Sequence, residues 1–124
     1  PVDILKTLTL DFEDFSEKGF LLGHASFVCI PKSFSAVEYA KHLFAFTEHE
    51  SCGKCFPCRL GSTRGKEMLE SALEKDQKFS EELIHDLLQT MEVGSLCALG
   101  GGLPLAIKNL LEHCADEFKP LMEK

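Results

Sequence analysis

Three cysteines within seven residues, in the run Glu50-Ser51-Cys52-Gly53-Lys54-Cys55-Phe56-Pro57-Cys58-Arg59, restrict what this chain can fold into. Their C-x2-C-x2-C spacing makes three thiols converge from one tight loop. A fourth, Cys97, follows in Ser95-Leu96-Cys97-Ala98-Leu99-Gly100. The tight trio suits three corners of a cubane [4Fe–4S] cluster, whose four tetrahedral irons each take one protein thiolate. The fourth corner must then come from a distant segment, and Cys97 is the natural candidate. Gly53 allows the backbone to pass close to the sulfurs, and Pro57 fixes a φ angle without adding an N–H that needs a partner.

Structural zinc is a competing use of four cysteines. Its usual pattern is two separated C-x2-C pairs, rather than three ligands in a row with one remote. A disulfide framework fits less well, since six cysteines in 124 residues are sparse and no signal peptide is expected. Cys29 and Cys114 are the spare cysteines, expected to act as small buried hydrophobes in a strand and on an apolar helix stripe. His49 lies three residues before Cys52 but is not needed once four cysteines are counted. His24, His42, His85 and His113 show no ligand spacing.

The chain is long enough for a core of its own, and its 44% hydrophobic and 27% charged content is that of a globular protein. No apolar run approaches the ~20 residues that span a bilayer, so direct membrane insertion is not expected. The net charge of −7 argues against a nucleic-acid surface. Charge is unevenly spread: Lys54, Arg59, Arg64 and Lys66 stand against Glu50 alone between residues 50 and 66. Cations beside a cluster favour its extra electron. A solvated basic start to a helix is the plainer alternative.

Residues 7–15 alternate apolar and polar at period two and predict a half-buried strand. Gly19 to Ile30 is β-like too, with Phe27-Val28-Cys29-Ile30 stopped by Pro31. Four amphipathic helices are then predicted. The first starts at Ser35 with Glu38 as a capping box, and buries Val37, Ala40, Leu43, Phe44 and Thr47. The second runs from about Ser62 to Lys75, with Ser62 and Thr63 as caps and Met68, Leu69, Ala72 and Leu73 inward. The third begins at Ser80 and stops at Gly94, burying Leu83, Ile84, Leu87, Leu88 and Met91. The glycines 100–102 predict a tight turn. Leu103-Pro104 then opens the last helix, with Ile107, Leu110, Leu111, Cys114 and Phe118 on one stripe. The expected fold is mainly α: a small antiparallel four-helix bundle (residues 34–124) with the cluster at one end, after a short β segment (residues 1–33). An up-down-up-down order brings Cys97 to the three-cysteine loop.

The run Glu50-Ser-Cys-Gly-Lys-Cys-x-Pro-Cys-Arg-x-Gly, with the later Ser-Leu-Cys-Ala-Leu-Gly, resembles the cluster-binding signature of the flavin- and NADH-binding subunit of respiratory complex I. The same signature occurs in beta subunits of NAD-linked formate dehydrogenases and NAD-reducing hydrogenases. The likeness extends from about Leu8 to Phe118. Phe56 and Leu60 depart from the complex I pattern, where a small polar residue and a glutamate are usual. Leu60 with Gly61-Ser62-Thr63-Arg64-Gly65 looks closer to the formate dehydrogenase branch.

The resemblance implies an electron relay, with Cys52, Cys55, Cys58 and Cys97 holding a [4Fe–4S] cluster. It also implies an upstream domain that binds FMN and NAD(H), and other iron–sulfur subunits as partners, at the cytoplasmic face of a complex. This chain has no G-x-G-x-x-G or Walker sequence, so flavin and NAD(H) are expected in the parent subunit and not here. Phe56, inside the loop, is expected to shield the cluster from water. Two other functions share these residues: a zinc module that only staples the bundle, and an iron–sulfur module that senses oxidants.

Overall fold

The computed structural model describes residues 2–23, 28–31 and 33–123. These fall into two units, Pro1–Lys32 and Ser33–Lys124.

The first unit is helical where a strand is expected. Helix α1 spans Val2–Leu5 and α2 spans Phe12–Glu17. The period-two pattern over residues 7–15 loses to side-chain capping. Asp11 is the N-cap of α2 and accepts the Asp14 N–H at 2.7 Å, while the Asp14 carboxylate accepts the Thr9 N–H. Two carboxylates thus satisfy N–H groups around the first turn, and the negative charge suits the helix dipole. Lys18 closes the unit with bonds to Asp14 (2.6 Å) and the Thr7 carbonyl (2.7 Å). The expected strand at Gly19–Ile30 lies partly outside the described residues. Phe20–Leu22 and Val28–Ile30 have no regular structure, and Cys29 is exposed rather than buried.

The second unit is built on α3 (Ala36–Glu50), α4 (Phe56–Lys75), α5 (Glu81–Gly94) and α6 (Ala98–His113), followed by the short α7 (Ala115–Phe118). The class is mainly α, as expected. Among the described residues the only sheet is a two-residue parallel pair, β1 (Phe79–Ser80) with β2 (Met122–Glu123).

Helix α3 packs on α4 and α6, and α5 packs on α4 and α6. Two glycines one turn apart set how closely α4 meets its neighbours. A Cβ at Gly65 would lie 2.2 Å from the Phe44 ring on α3, and one at Gly61 would lie 2.6 Å from the Met91 side chain on α5. These contacts run in opposite senses along the chain. Phe44 and Glu48 meet Gly65 and Thr63, while Gly61 meets Met91 and Pro57 meets Gly94. The core between the helices includes Val37, Ala40, Phe44, Leu69, Ile84, Leu88, Met91, Ile107 and Phe118. The predicted inward faces of α3 and α4 hold. Leu83 of α5 does not: it is exposed, and Ile84, Leu88 and Met91 carry that face.

Three boundaries differ from expectation. Helix α4 starts six residues early, at Phe56, because Pro57 falls in the first turn, where no N–H is needed. Ser62 and Thr63 are therefore interior to α4 and not its caps. The glycines 100–102 lie within α6 and make no turn, and Pro104 sits buried inside that helix. Phe118 belongs to α7, separated from α6 by Cys114, so the last stripe spans two helices.

Candidate metal centre

Helices α4 and α6 begin with cysteines, and both starts lie at one end of the second unit. Cys55 is the N-cap of α4 and Cys97 the N-cap of α6, and neither side chain bonds to its own helix as a cap. Both thiols lie at helix ends, which carry N–H donors without intrahelical partners and positive dipole charge. Thiolate is the form of cysteine that binds metal.

The cysteine loop turns at Gly53, whose φ of +76° is a left-handed conformation natural to glycine. Ser51 braces the turn by accepting the Gly53 N–H at 3.2 Å, and its hydroxyl lies 3.4 Å from Cys58 Sγ. Cys58, one turn into α4, is the buried cysteine, at 3% exposure. Ser62 fixes its backbone by donating to the Cys58 carbonyl at 2.7 Å. Cys52 is exposed in the same loop.

The connection between α5 and α6 closes onto this loop. The Leu96 N–H, foremost, and then the N–H groups of Cys58 and Cys55 hold the Cys55 thiol below the ordinary thiol range. Leu96 directly precedes Cys97, so the two cysteine segments meet here. A second contact joins them at Gly100. A Cβ there would lie 2.5 Å from Cys58 Cβ, 2.6 Å from Ser95 Oγ and 2.9 Å from Cys58 Sγ. The structure thus brings Cys55, Cys58 and the Leu96–Cys97 step together, with Cys52 in the adjoining loop. Among the described residues no three His, Cys, Asp or Glu side chains are grouped around a single metal ion. One zinc bound at ~2.3 Å would need its sulfurs within about 4 Å of one another.

The surroundings suit an anionic, sulfur-rich group. The Ser95 hydroxyl oxygen is buried and has no hydrogen-bond partner among the described residues. It faces the same point as Cys58 Sγ, where an acceptor would satisfy it. Of the four cations in the basic run, Lys66 is held by Glu48 (2.8 Å) and Arg64 by Glu67 (3.2 Å). Lys54 and Arg59 form no ion pair among the described residues, and the Arg59 side chain runs beside Gly53. The electrostatic contribution of the run therefore narrows to these two.

Some expected roles do not hold. Phe56, the residue expected to shield the cluster, is itself 73% exposed in this chain. Cys114 is only partly buried, packed on the core at the end of α6. Ser51, Ser95 and Gly100 were not singled out from the sequence. The one signal for them was a serine close before the first cysteine of each segment, in Ser51-Cys52 and Ser95-Leu96-Cys97.

Residues 38–121 match the family described as the NADH-ubiquinone oxidoreductase-F iron-sulfur binding region. An NADH-quinone oxidoreductase protein of Rhizobium meliloti (strain 1021) is 32% identical over 121 residues, covering 97% of this chain and 27% of that protein. The mitochondrial NADH-ubiquinone oxidoreductase 51 kDa subunit of Neurospora crassa is 32% identical over 126 residues, covering all of this chain and 25% of that protein. The corresponding mitochondrial 51 kDa protein of Aspergillus niger is 32% identical over 125 residues, covering 99% of this chain and 24% of its own length. The chain thus spans roughly a quarter of the length of these relatives. All three are named as NADH oxidoreductases, and none as a formate dehydrogenase. With most of its length matched, the chain belongs to the family of the iron–sulfur binding region of NADH-ubiquinone oxidoreductase F.

Proposed function

We propose that this chain holds a [4Fe–4S] cluster through Cys52, Cys55, Cys58 and Cys97 and relays electrons within an NADH-linked oxidoreductase. The observation that carries this is the meeting of the α4 and α6 starts, each with a cysteine at its N-cap. When bound, the cluster supplies a centre that accepts and returns one electron at a time. The chain's own part is to hold and tune that centre. Helix N-termini and loop N–H groups offset negative charge, and Gly100 lets Cys58 approach from the α6 side. The buried Cys58 corner limits water.

Flavin and NAD(H) chemistry is assigned to an upstream domain of the parent subunit, and further transfer to neighbouring iron–sulfur subunits. The relatives' names support an NADH-linked parent. A formate dehydrogenase beta subunit is the finer form of the proposal, resting on Leu60 and Gly61–Gly65. Among the described residues no helix is long and apolar enough to cross a membrane. Placement on the cytoplasmic side remains part of the proposal.

Iron, labile sulfide and visible absorption, measured after anaerobic reconstitution, test the assignment. The unmodified chain should carry about four irons and four sulfides. Cys97→Ala should hold fewer, with altered EPR, while Cys114→Ala and Cys29→Ala keep the full complement. Zinc without sulfide in the unmodified chain would replace the relay with a structural staple. A full cluster in Cys97→Ala would overturn the ligand set.

A further inference from the structure

Cys58 differs from the other three cysteines in being buried, and it lies beside two serine hydroxyls from different segments. Ser51 Oγ is 3.4 Å from its sulfur. Because Ser51 already accepts the Gly53 N–H (3.2 Å), a lone pair is committed and its proton is available for Cys58. Ser95 approaches from the segment between α5 and α6. Its oxygen and Cys58 Sγ lie 2.6 and 2.9 Å from one point, the Cβ position of Gly100, which has no side chain to separate them. Ser95 is also held in place, since its N–H caps α5 on the Met91 carbonyl at 3.1 Å.

A buried hydroxyl left unpaired costs on the order of 1–3 kcal/mol. Ser95 Oγ is such a group, the one buried side-chain oxygen or nitrogen among the described residues without a partner. A hydroxyl has a proton to give, and a ligated thiolate or sulfide is a pure acceptor. Hydrogen bonds to a cluster's sulfurs are one of the controls on its potential, because they strengthen as negative charge is added. At a buried corner, with little water to compete, each such bond weighs more.

We propose that Ser95, with Ser51, donates a hydrogen bond to sulfur at the Cys58 corner and thereby raises the reduction potential of the bound cluster. This rests on the cluster-holding function above. Both serines act as tuning residues through sulfur, without ligating iron.

The test is an EPR-monitored redox titration, with dithionite as reductant, of the anaerobically reconstituted chain and its Ser95→Ala and Ser51→Ala variants. Iron and sulfide are counted first in the unmodified chain, and failure there refutes the cluster itself, independently of the serines. With the cluster present, Ser95→Ala should keep four irons and titrate lower. At a fixed potential its reduced-to-oxidised ratio should fall about tenfold, which is ~59 mV for a one-electron couple. Pulsed EPR in D2O should lose one exchangeable-proton coupling. Ser95→Cys, a weaker donor of similar size, should fall between. Without metal, Ser95→Ala should be no less stable than the unmodified chain, because only an unpaired hydroxyl is removed. An unchanged midpoint with an unchanged coupling overturns the proposal. Loss of the cluster from Ser95→Ala, with helical content intact, would make Ser95 a holding group and also overturns the tuning role.

Discussion

The α-carbon of Gly100 faces Cys58 so closely that a methyl group there would lie 2.5 Å from Cys58 Cβ and 2.9 Å from its sulfur. Gly102, two residues on in the same helix, faces open space, with nothing within 4 Å of a Cβ. Alanine favours a helix over glycine by roughly 0.5–1 kcal/mol at either position. Gly102→Ala should therefore raise the urea midpoint and leave iron loading unchanged. Gly100→Ala should displace Cys58 and lower the iron and sulfide retained per chain. Full retention of the cluster by Gly100→Ala would show that the α6 start can retreat without cost.

Arg59 is one of two cations in the loop region that no carboxylate neutralises among the described residues. Arg59→Gln should lower the cluster midpoint by removing a charge that favours the reduced state. Arg64→Gln should change it less, because Arg64 already pairs with Glu67. Equal shifts for the two variants would mean that local pairing is irrelevant to the potential.

Glu48 accepts from Lys66 at 2.8 Å and from the Thr63 hydroxyl at 2.8 Å, tying the end of α3 to α4. The Lys66 bond first, then Thr63, holds its carboxyl below the ordinary value of 4.5. A carboxylate with a lowered folded-state value contributes stability that is complete above the ordinary value and fades as pH falls through the lowered one. The metal-free chain should thus lose a contribution of under about 1 kcal/mol on acidification below that range, as for a partly exposed pair. Glu48→Gln should lack that step. Urea midpoints of both proteins between neutral pH and pH ~3 measure the difference, and parallel curves would remove Glu48 from the account.

Glu117 completes the start of α3. Its carboxylate accepts the Ala36 N–H at 2.8 Å and the Ser35 hydroxyl at 2.9 Å. Glu117→Ala should lower stability by about 1–2 kcal/mol, with iron content unchanged, as read by thermal melting of the metal-free chain. A melting temperature equal to that of the unmodified chain would mean that water replaces the carboxylate fully.

Local signals served well where one element could be read on its own terms. Ser35 and Ser80 accept N–H groups in the first turns of α3 and α5 as their positions suggest, and the apolar period places Val37, Phe44, Ile84 and Met91 inward. The cysteine spacing led to the same end of the unit that the structure assembles. What stayed hidden depends on contacts between segments. Glu38 looks like the other half of the box at Ser35, yet it pairs with Lys41 at 2.7 Å, and the distant Glu117 accepts the Ala36 N–H and the Ser35 hydroxyl. Gly100-Gly101-Gly102 reads as a turn until Cys58 supplies the reason for a bare α-carbon in a helix. Over residues 7–15, alternation misled because Asp11 and Asp14, two polar residues of the pattern, are capping groups.

The bond from Glu117 to Ser35 also bears on the order in which the protein can mature. A ribosome delivers Ser35 82 residues before its partner. At about 5–20 residues per second, the emerging α3 waits roughly 4–16 s for the carboxylate that secures its first turn. Cys97, too, leaves the ribosome well after the three-cysteine loop. Iron delivered during synthesis would meet an incomplete set of thiols on an unanchored helix. Cluster insertion is therefore best timed after residues 97–117 have emerged and Glu117 has folded back onto the start of α3.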